Sequence, residues 1–369
     1  MANFLKSLII VSEKAANIAR ACRSEKELFE LLIEEKKGAE GNEKRFFQDF
    51  KTLADVLVQE TVRHDLEKEF PSLCGNIRGE ESNTFSNTLN KTITVEVKDD
   101  HQETVDLLST VLDGHTRAAE LLTNEVYKNV CFESINSNKL DIPDDIELNL
   151  DNVGIWIDPI DSTSEYINGY ISSSSHTEIH RKGLQCVTVL IGCFNKITGL
   201  PIAGVINQPF YNFENNRWQG KCFWGIQTNG QVLTSEEIVT DLTNNIVLSR
   251  IEKENVQEKL RENGFNLLKT AGAGYKILTV VCGLVDAYVI SLDTIFNWDT
   301  CAPHAILQAL GGNIIEFESM VINKNKNILK YNENFDTKTK DIQVWKHSLG
   351  VIAYRNNDVL EKLINVLSN

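Results

Sequence analysis

Positive charge is scarce in this sequence relative to negative charge. Of 369 residues, 37 are lysine or arginine and 52 are aspartate or glutamate, which gives a formal net charge of −15. A nucleic-acid partner is therefore not expected, because binding of a phosphate backbone needs clustered basic side chains. A small anionic ligand is compatible with this charge, since bound cations can invert the sign of the local field.

Long apolar runs and paired cysteines are also lacking. The longest apolar segment covers residues 277–292 and contains Asp286, so it is too short and too polar to span a bilayer of about 30 Å. The N-terminus has no cleavable signal pattern. The eight cysteines include no Cys-x-x-Cys pair, and the seven histidines show no zinc-ligand spacing. We therefore expect a cytoplasmic protein with reduced thiols, no membrane insertion and no obligate protein partner.

Hydrophobic periodicity switches between helix and strand patterns along the chain. Helical spacing of apolar residues covers the first 70 residues and residues 103–128. Short runs rich in valine and isoleucine predict strands at 153–157, 184–194 and 202–207, the last two forming a hairpin. The last third of the chain alternates strands with helices. This mixture predicts an α/β protein built in layers, without a linker between separate domains.

Three acidic clusters follow predicted strands or open predicted helices. They are Gly79-Glu80-Glu81-Ser82, Asp158-Pro159-Ile160-Asp161-Ser162-Thr163 and Trp298-Asp299. Pro159 is expected to end its strand, because proline cannot donate a ladder hydrogen bond. Taken singly, adjacent glutamates are usually only solvated, and an aspartate that opens a helix is usually an N-cap. Taken together, carboxylates and a nearby carbonyl are the hard oxygen ligands that Mg²⁺ prefers.

Clustered carboxylates of this kind repel one another unless cations neutralise them. Two or three divalent cations would relieve the repulsion and leave a site that attracts phosphate. The chemistry typical of such a site is metal-assisted hydrolysis of a phosphoester. A haloacid-dehalogenase type of phosphatase is disfavoured, because its two key aspartates stand two positions apart, whereas Asp158 and Asp161 stand three apart.

These motifs resemble those of the lithium-sensitive, magnesium-dependent phosphomonoesterases. That superfamily includes inositol monophosphatase, fructose-1,6-bisphosphatase and the bisphosphate nucleotidases. The resemblance is carried by Asp55 and the three acidic clusters. Within the superfamily, the segment from Asp158 to Thr163 is most similar to the inositol polyphosphate 1-phosphatase branch, since other members usually have glycine where Ser162 stands. The runs Gly272-Ala273-Gly274-Tyr275-Lys276 and 298–307 strengthen that match.

The resemblance implies a mixed α+β fold, a layered α-β-α-β-α sandwich of the inositol monophosphatase and fructose-1,6-bisphosphatase type. It agrees with the alternation of helices and strands described above. We expect one phosphatase unit over residues 1–369. This unit can be divided into an N-terminal metal-binding lobe at 1–240 and a C-terminal substrate lobe at 241–369.

The resemblance also implies a role for each site residue. The expected metal ligands are Glu80, Glu81, Asp158, the Ile160 carbonyl, Asp161, Asp299 and Asp55. Asp55, Thr163 and Glu80 are the expected catalytic residues; the Thr163 hydroxyl needs the Asp55 carboxylate because a hydroxyl alone is a poor base. The expected substrate contacts are Asp161, Ser162, Thr163, Ser249, Lys253, Gly272, Ala273, Lys276 and Thr294. Without the resemblance, the Gly-Ala-Gly run would be a tight turn and no more.

The implied activity is hydrolysis of the 1-phosphate of inositol 1,4-bisphosphate and inositol 1,3,4-trisphosphate. It would use two or three Mg²⁺ ions and would be inhibited by Li⁺. Two alternatives stay open: a 3′(2′),5′-bisphosphate nucleotidase, and a non-catalytic protein that binds inositol phosphates. A binding protein would be expected to lose the water-activating pair, yet both Asp55 and Thr163 are present. Around residues 249–251 the sequence Ser-Arg-Ile departs from the expected family pattern.

Overall fold

The structure is a computed structural model that describes residues 3–24, 29–35, 50–138, 142–144, 146–173, 179–228, 230–337, 339 and 341–368. The described helices are α1 (Phe4–Ser24), α2 (Leu53–Glu69), α3 (His101–Val111), α4 (Thr116–Tyr127), α5 (Thr163–Asn168), α6 (Glu254–Glu262), α7 (Ala273–Val281), α8 (Asn297–Ala309), α9 (Phe317–Asn323) and α10 (Asn357–Leu367). The described strands are β1 (Ile33–Glu35), β2 (Phe50–Thr52), β3 (Ile77–Gly79), β4 (Thr84–Ser86), β5 (Thr92–Thr94), β6 (Val153–Asp161), β7 (Thr188–Asn195), β8 (Pro201–Glu214), β9 (Arg217–Thr228), β10 (Gln231–Thr234), β11 (Asn245–Leu248), β12 (Asn266–Lys269), β13 (Ala287–Ile290), β14 (Asn313–Glu316) and β15 (Val351–Tyr354).

Two large sheets and three helical layers make up the core. The first sheet has the order β10-β9-β8-β7-β6-β3 and is antiparallel except where β3 pairs with β6. The second has the order β12-β11-β13-β15-β14, with β11 parallel to both β12 and β13. Helices α1 and α2 cover the outer face of the first sheet, α7 and α8 lie between the sheets, and α6, α9 and α10 cover the outer face of the second. The expected α-β-α-β-α sandwich is confirmed.

The chain passes from the first sheet to the second between residues 235 and 244. This crossover lies close to the expected boundary between 240 and 241. The assignment of separate metal and substrate roles to the two halves stays a prediction.

Helix α8 packs unusually close to the first sheet because each of three neighbouring strands carries a glycine beneath it. A Cβ atom added at Gly192, Gly204 or Gly225 would lie 2.4, 2.0 and 2.9 Å from the backbone of α8. The backbone atoms approached in this way belong to Ala302 and Ile306. Glycine therefore sets the depth of α8, and with it the position of the aspartate in its first turn.

The expectation that Pro159 ends its strand is wrong. Strand β6 continues to Asp161, and its pairing with β7 shifts register between Asp158 and Asp161. Proline is tolerated at such an irregularity because no ladder hydrogen bond is required of it there. In a regular strand, residues three apart point to opposite faces. The irregularity is what allows Asp158 and Asp161 to reach the same site.

Other differences from the sequence expectations are local. The first 70 residues are not wholly helical, because β1 and β2 pair antiparallel between α1 and α2. The helical stretch at 103–128 is broken between α3 and α4 at Gly114. Strands of three residues are too short to leave a period-2 pattern. Among the residues described, no helix combines the length and apolar character needed to cross a membrane.

Candidate active site

Three buried carboxylates form the centre of the site. Asp158 and Asp161 come from the irregular end of β6, and Asp299 lies in the first turn of α8. One oxygen from each lies within 4.8 Å of the others. Burial raises the pKa of Asp158 well above its usual range, and repulsion from Glu80, Asp161 and Asp299 raises it further. Burial likewise raises the pKa of Asp299, with repulsion from Asp161 as the next cause.

Asp158 has a buried oxygen that no donor among the described residues reaches. Its side chain is 2% exposed. Within the part of the chain that the structure describes, its Oδ1 atom accepts no hydrogen bond. A buried anionic oxygen of this kind is costly unless a cation or a donor meets it. The oxygen-only donor set and this orphaned atom fit a hard divalent cation such as Mg²⁺.

Asp161 is fixed in place by donors from two other elements. Its carboxylate accepts hydrogen bonds from the Thr188 hydroxyl on β7 at 3.1 Å and from the backbone N–H groups of Ala273 at 3.1 Å and Gly274 at 2.9 Å, where α7 begins. Gly272 has φ +75°, and a Cβ atom there would lie 2.8 Å from Asp161 Oδ2. The Gly-Ala-Gly run is therefore a tight turn that also wraps the carboxylate.

Glu80 and Glu81 follow β3 directly, and Gln59 on α2 holds their backbone. The Gln59 side-chain amide donates to the Glu81 carbonyl at 2.6 Å and accepts from the Glu81 N–H at 3.0 Å. A Cβ atom at Gly79 would collide with Gln59 Oε1 at 2.0 Å. Glu80 lies close enough to Asp158 and Asp299 to raise the pKa of both carboxyl groups. The close cluster of three carboxylates does not include Glu80 or Glu81.

Asp55 and Thr163 lie in contact beside the cluster. The Thr163 hydroxyl is 3.4 Å from Asp55 Oδ1 and 3.2 Å from the Ile160 carbonyl. The other oxygen of Asp55 accepts the Thr52 N–H at 2.6 Å and the Thr52 hydroxyl at 2.5 Å. This capping of α2 by its own first turn orients the Asp55 carboxylate, so that Oδ1 is presented to Thr163.

Ser162 adopts a backbone conformation that favours glycine. Its φ and ψ angles are +75° and +45°, in the left-handed region. A residue with a Cβ atom costs about 1 kcal/mol there relative to glycine. The conformation turns the chain from β6 into α5, and glycine would adopt it without this cost.

The remaining expected substrate contacts follow β11, β12 and β13: Ser249, Lys253, Gly272 and Thr294 lie on loops, whereas Ala273 and Lys276 lie in α7. Because these neighbouring strands are parallel, their carboxyl ends meet at one edge of the second sheet. Lys253 and Thr294 are exposed, and Ser249 is half-buried. Lys276 is buried; its ammonium donates to the Gly272 carbonyl at 3.0 Å. Burial lowers the pKa of Lys276, and the charge of Asp161 opposes that shift.

Comparison with known proteins decides the family. The inositol monophosphatase family model matches residues 5–343. This chain belongs to the inositol monophosphatase family. An inositol polyphosphate 1-phosphatase from Mus musculus is 42% identical over 392 residues, covering 100% of this chain and 97% of that protein. A 3′(2′),5′-bisphosphate nucleotidase 1 from Homo sapiens is 28% identical over 302 residues, covering 79% of each chain.

Solved structures share the fold of this chain. The suhB protein from Bartonella henselae has a TM-score of 0.55 at 14% identity, covering 98% of this chain and 97% of its own. An IMPase/NADP phosphatase complexed with Mg²⁺ and phosphate has a TM-score of 0.50 at 12% identity, covering 94% of this chain and 90% of its own. The resemblance to inositol polyphosphate 1-phosphatases that the sequence motifs indicated is confirmed by the 42% identity.

Three side chains that orient the site were not predicted from the sequence to have a role there. Gln59 fixes the glutamate segment, Thr188 donates to Asp161, and Glu252 ties the loop after β11 to the loop after β13. One sequence feature could have indicated the role of Gln59: it is a polar residue four positions after Asp55 on a buried helix. No sequence feature indicated the roles of Thr188 and Glu252, because each contacts a partner that is distant in the sequence.

Proposed function

We propose that this member of the inositol monophosphatase family is a magnesium-dependent phosphatase that removes the 1-phosphate from inositol 1,4-bisphosphate and inositol 1,3,4-trisphosphate. The observation that carries the proposal is the buried cluster of Asp158, Asp161 and Asp299 with the Asp55–Thr163 pair beside it. The substrate assignment is supported by the full-length relatives at 42% identity, which are inositol polyphosphate 1-phosphatases.

Two or three Mg²⁺ ions would be held by Asp158, Asp161, Asp299 and the Ile160 carbonyl, with Glu80, Glu81 and Asp55 as the further ligands. When bound, magnesium stabilises the charge on the reacting phosphate and lowers the pKa of water. The orphaned Asp158 oxygen supports this assignment. So does the solved structure of the same fold that is complexed with Mg²⁺ and phosphate.

Thr163 and Asp55 would handle the proton of the attacking water. The Thr163 hydroxyl would accept that proton while it passes its own to Asp55 Oδ1, 3.4 Å away. The Ile160 carbonyl, 3.2 Å from the hydroxyl, limits the directions in which the hydroxyl can turn. Backbone N–H groups at Ser162 and Thr163, where α5 begins, would hold the phosphate that is cleaved.

The cysteines support a reducing compartment. All eight are free thiols, and five of them are buried. Free, buried thiols are typical of proteins kept in a reducing environment. We therefore propose a cytoplasmic phosphatase whose partner is its small-molecule substrate.

Two other functions fit the site less well. A protein that only binds inositol phosphates would not need a hydroxyl placed against a buried carboxylate, as Thr163 is against Asp55. The bisphosphate nucleotidases are more distant relatives, at 28% identity over 79% of the chain.

The direct test is phosphate release from three substrates in the presence of Mg²⁺. We expect release from inositol 1,4-bisphosphate to exceed release from inositol 1-phosphate and from adenosine 3′,5′-bisphosphate. Chelation of the metal should abolish release, and Asp161→Ala serves as the inactive control. Faster release from the adenosine compound would favour the nucleotidase alternative, and binding without release would favour the binding protein.

Lithium provides a second test of the same carboxylates. Li⁺ has a radius similar to that of Mg²⁺ but half its charge. We expect it to compete for the metal position nearest Asp55 and Glu80 and to trap the enzyme after cleavage. Inhibition should then be uncompetitive with respect to substrate. Simple competition with substrate, or no inhibition at millimolar Li⁺, would contradict this placement of the metal.

A further inference from the structure

Four buried aromatic rings pack together between the two sheets, and we call them the aromatic cluster. They are Trp156 on β6, Trp298 in α8, and Phe335 and Trp345 in the chain between α9 and β15. The Trp345 ring centre lies 5.4 Å from that of Trp156 and 6.2 Å from that of Trp298. The Phe335 ring centre lies 5.2 Å from that of Trp156. Trp345 meets both tryptophans edge to face, which is a favourable arrangement for aromatic pairs.

Strands β3 and β6 each bring one side chain to this cluster, two positions before an expected metal ligand. Trp156 precedes Asp158 on β6, and the two side chains lie on the same face because residues two apart in a strand do so. Arg78 on β3 precedes Glu80 and is the register partner of Trp156. The Arg78 guanidinium carbon lies 5.4 Å from the centre of the Trp345 ring. A cation in this position is attracted by the electrons of the ring.

Helix α8 brings the third ligand to the same ring. Trp298, which contacts Trp345, directly precedes Asp299. Phe296 stacks on Trp298 with ring centres 4.7 Å apart, and its N–H donates to Asp299 Oδ2 at 2.7 Å. Lys346, the neighbour of Trp345, forms an antiparallel β-bridge with Phe296. Trp345 and Lys346 therefore support both residues that fix the position of Asp299.

The acidic segments need such support because their charges repel one another. Burial first, and then repulsion from Glu80, Asp161 and Asp299, raises the pKa of Asp158. In the metal-free protein this repulsion acts to separate β3, β6 and α8, so the contacts that keep them together come from neighbouring side chains. Trp345 contacts one such neighbour on each of the three elements. Ligands that are already held at the separation required in the complex bind a metal more tightly.

We propose that Trp345 is a positioning residue that holds the three acidic segments at the separation required for Mg²⁺ and so raises the affinity of the site for the metal. The inference rests on the proposed function, because it concerns the metal of that same site. The sequence motifs assigned Trp345 no role, and it lies beyond residues 5–343, which the family model matches.

The test is calorimetric titration of Mg²⁺ into the substrate-free protein. In Trp345→Leu we expect the Kd for Mg²⁺ to rise about tenfold, as is typical when a residue that orients metal ligands is lost. Trp345→Phe keeps an aromatic ring and should recover most of the affinity. Trp224→Leu is the matched control: Trp224 is 1% exposed and lies on β9 in the core on the outer face of the first sheet. This control should lose thermal stability but keep the parental Kd.

Thermal unfolding shows whether each variant is folded before the titration. If Trp345→Leu does not fold, Arg78→Met serves in its place, since it removes the charge that faces the ring but leaves every ring of the cluster. We expect it to raise the Kd about threefold; a parental Kd in Arg78→Met would then overturn the inference.

Metal binding also separates this inference from the proposed reaction. A higher Kd in Trp345→Leu with a parental Kd in Trp224→Leu supports the positioning role even if the parent releases no phosphate, in which case only the proposed reaction fails. A parental Kd in folded Trp345→Leu, or equal losses of affinity in the two tryptophan variants, would overturn the inference.

Discussion

The two sides of the site differ in burial and in the sign of their charge. We call the side proposed to hold Mg²⁺ the metal side, where Asp158, Asp161 and Asp299 are buried acidic residues. We call the side proposed to bind the substrate the substrate side, where Lys253 is exposed and cationic. The metal side is built by strands and helix starts of the core, and the substrate side by loops at the edge of the second sheet.

We infer that this difference separates chemistry from recognition. The metal side is fixed by dense packing and by short hydrogen bonds within the core, such as those at Asp161 and Asp55. The geometry of the substrate side depends on contacts between a few loops, and the main contact is the hydrogen bond between Glu252 and Ser291. Changes on the metal side should therefore lower the catalytic rate constant, and changes on the substrate side should mainly raise KM.

The largest expected effect comes from Asp158→Asn. We expect phosphate release to fall by about a thousandfold or more, because the variant removes a cation ligand at the centre of the site. We also expect the metal-free variant to melt at a higher temperature than the metal-free parent, since a buried, repelled charge is lost. Activity assays and thermal unfolding with and without Mg²⁺ measure both. The exposed Asp106→Asn is the control; near-parental activity in Asp158→Asn would contradict the site.

A smaller effect is expected from Thr163→Ala. Loss of a group that moves a proton in the transition state typically costs about 10²–10⁴-fold in rate. The catalytic rate constant should fall by about that factor, whereas KM should change little. Thr163→Ser keeps the hydroxyl and is the matched control. If KM rose as much as the rate constant fell, Thr163 would have a binding role rather than a proton-transfer role.

Much of the metal side could be predicted from the sequence because its residues lie in short contiguous motifs. Asp158, Asp161 and Thr163 are separated by only a few positions, so the motif could be recognised without the fold, whereas the irregularity of β6 that brings Asp158 and Asp161 to one site could not. Helical spacing of apolar residues indicated α1 and α2 within the first 70 residues, and two valine- and isoleucine-rich runs indicated the β7–β8 hairpin. The hairpin was predicted in its observed place, but β7 begins at Thr188 rather than at 184 and β8 continues to Glu214 rather than to 207.

What the sequence could not predict are contacts between distant segments. The Gln59–Glu81, Asp161–Thr188 and Glu252–Ser291 hydrogen bonds join residues 22, 27 and 39 positions apart. Each involves a single polar side chain whose role depends on which element packs beside it, and no periodic pattern encodes that. Pro159 shows the opposite case, in which a reliable local rule failed because the strand is irregular where the proline stands.

The smallest expected effect comes from Glu252→Gln, which tests the substrate side by weakening the hydrogen bonds between its loops. Glutamine has the shape of glutamate, but its NH₂ group would face one of the N–H or O–H donors of Lys253 and Ser291 that the carboxylate now accepts. A donor facing a donor loosens the two loops, so we expect KM for inositol 1,4-bisphosphate to rise about threefold to tenfold. The catalytic rate constant should hold, since no metal-side group moves. Steady-state kinetics measure both parameters, and the variant Glu254→Gln, at an exposed position, is the control. A lower catalytic rate constant at unchanged KM would mean that the two sides of the site are coupled rather than separate.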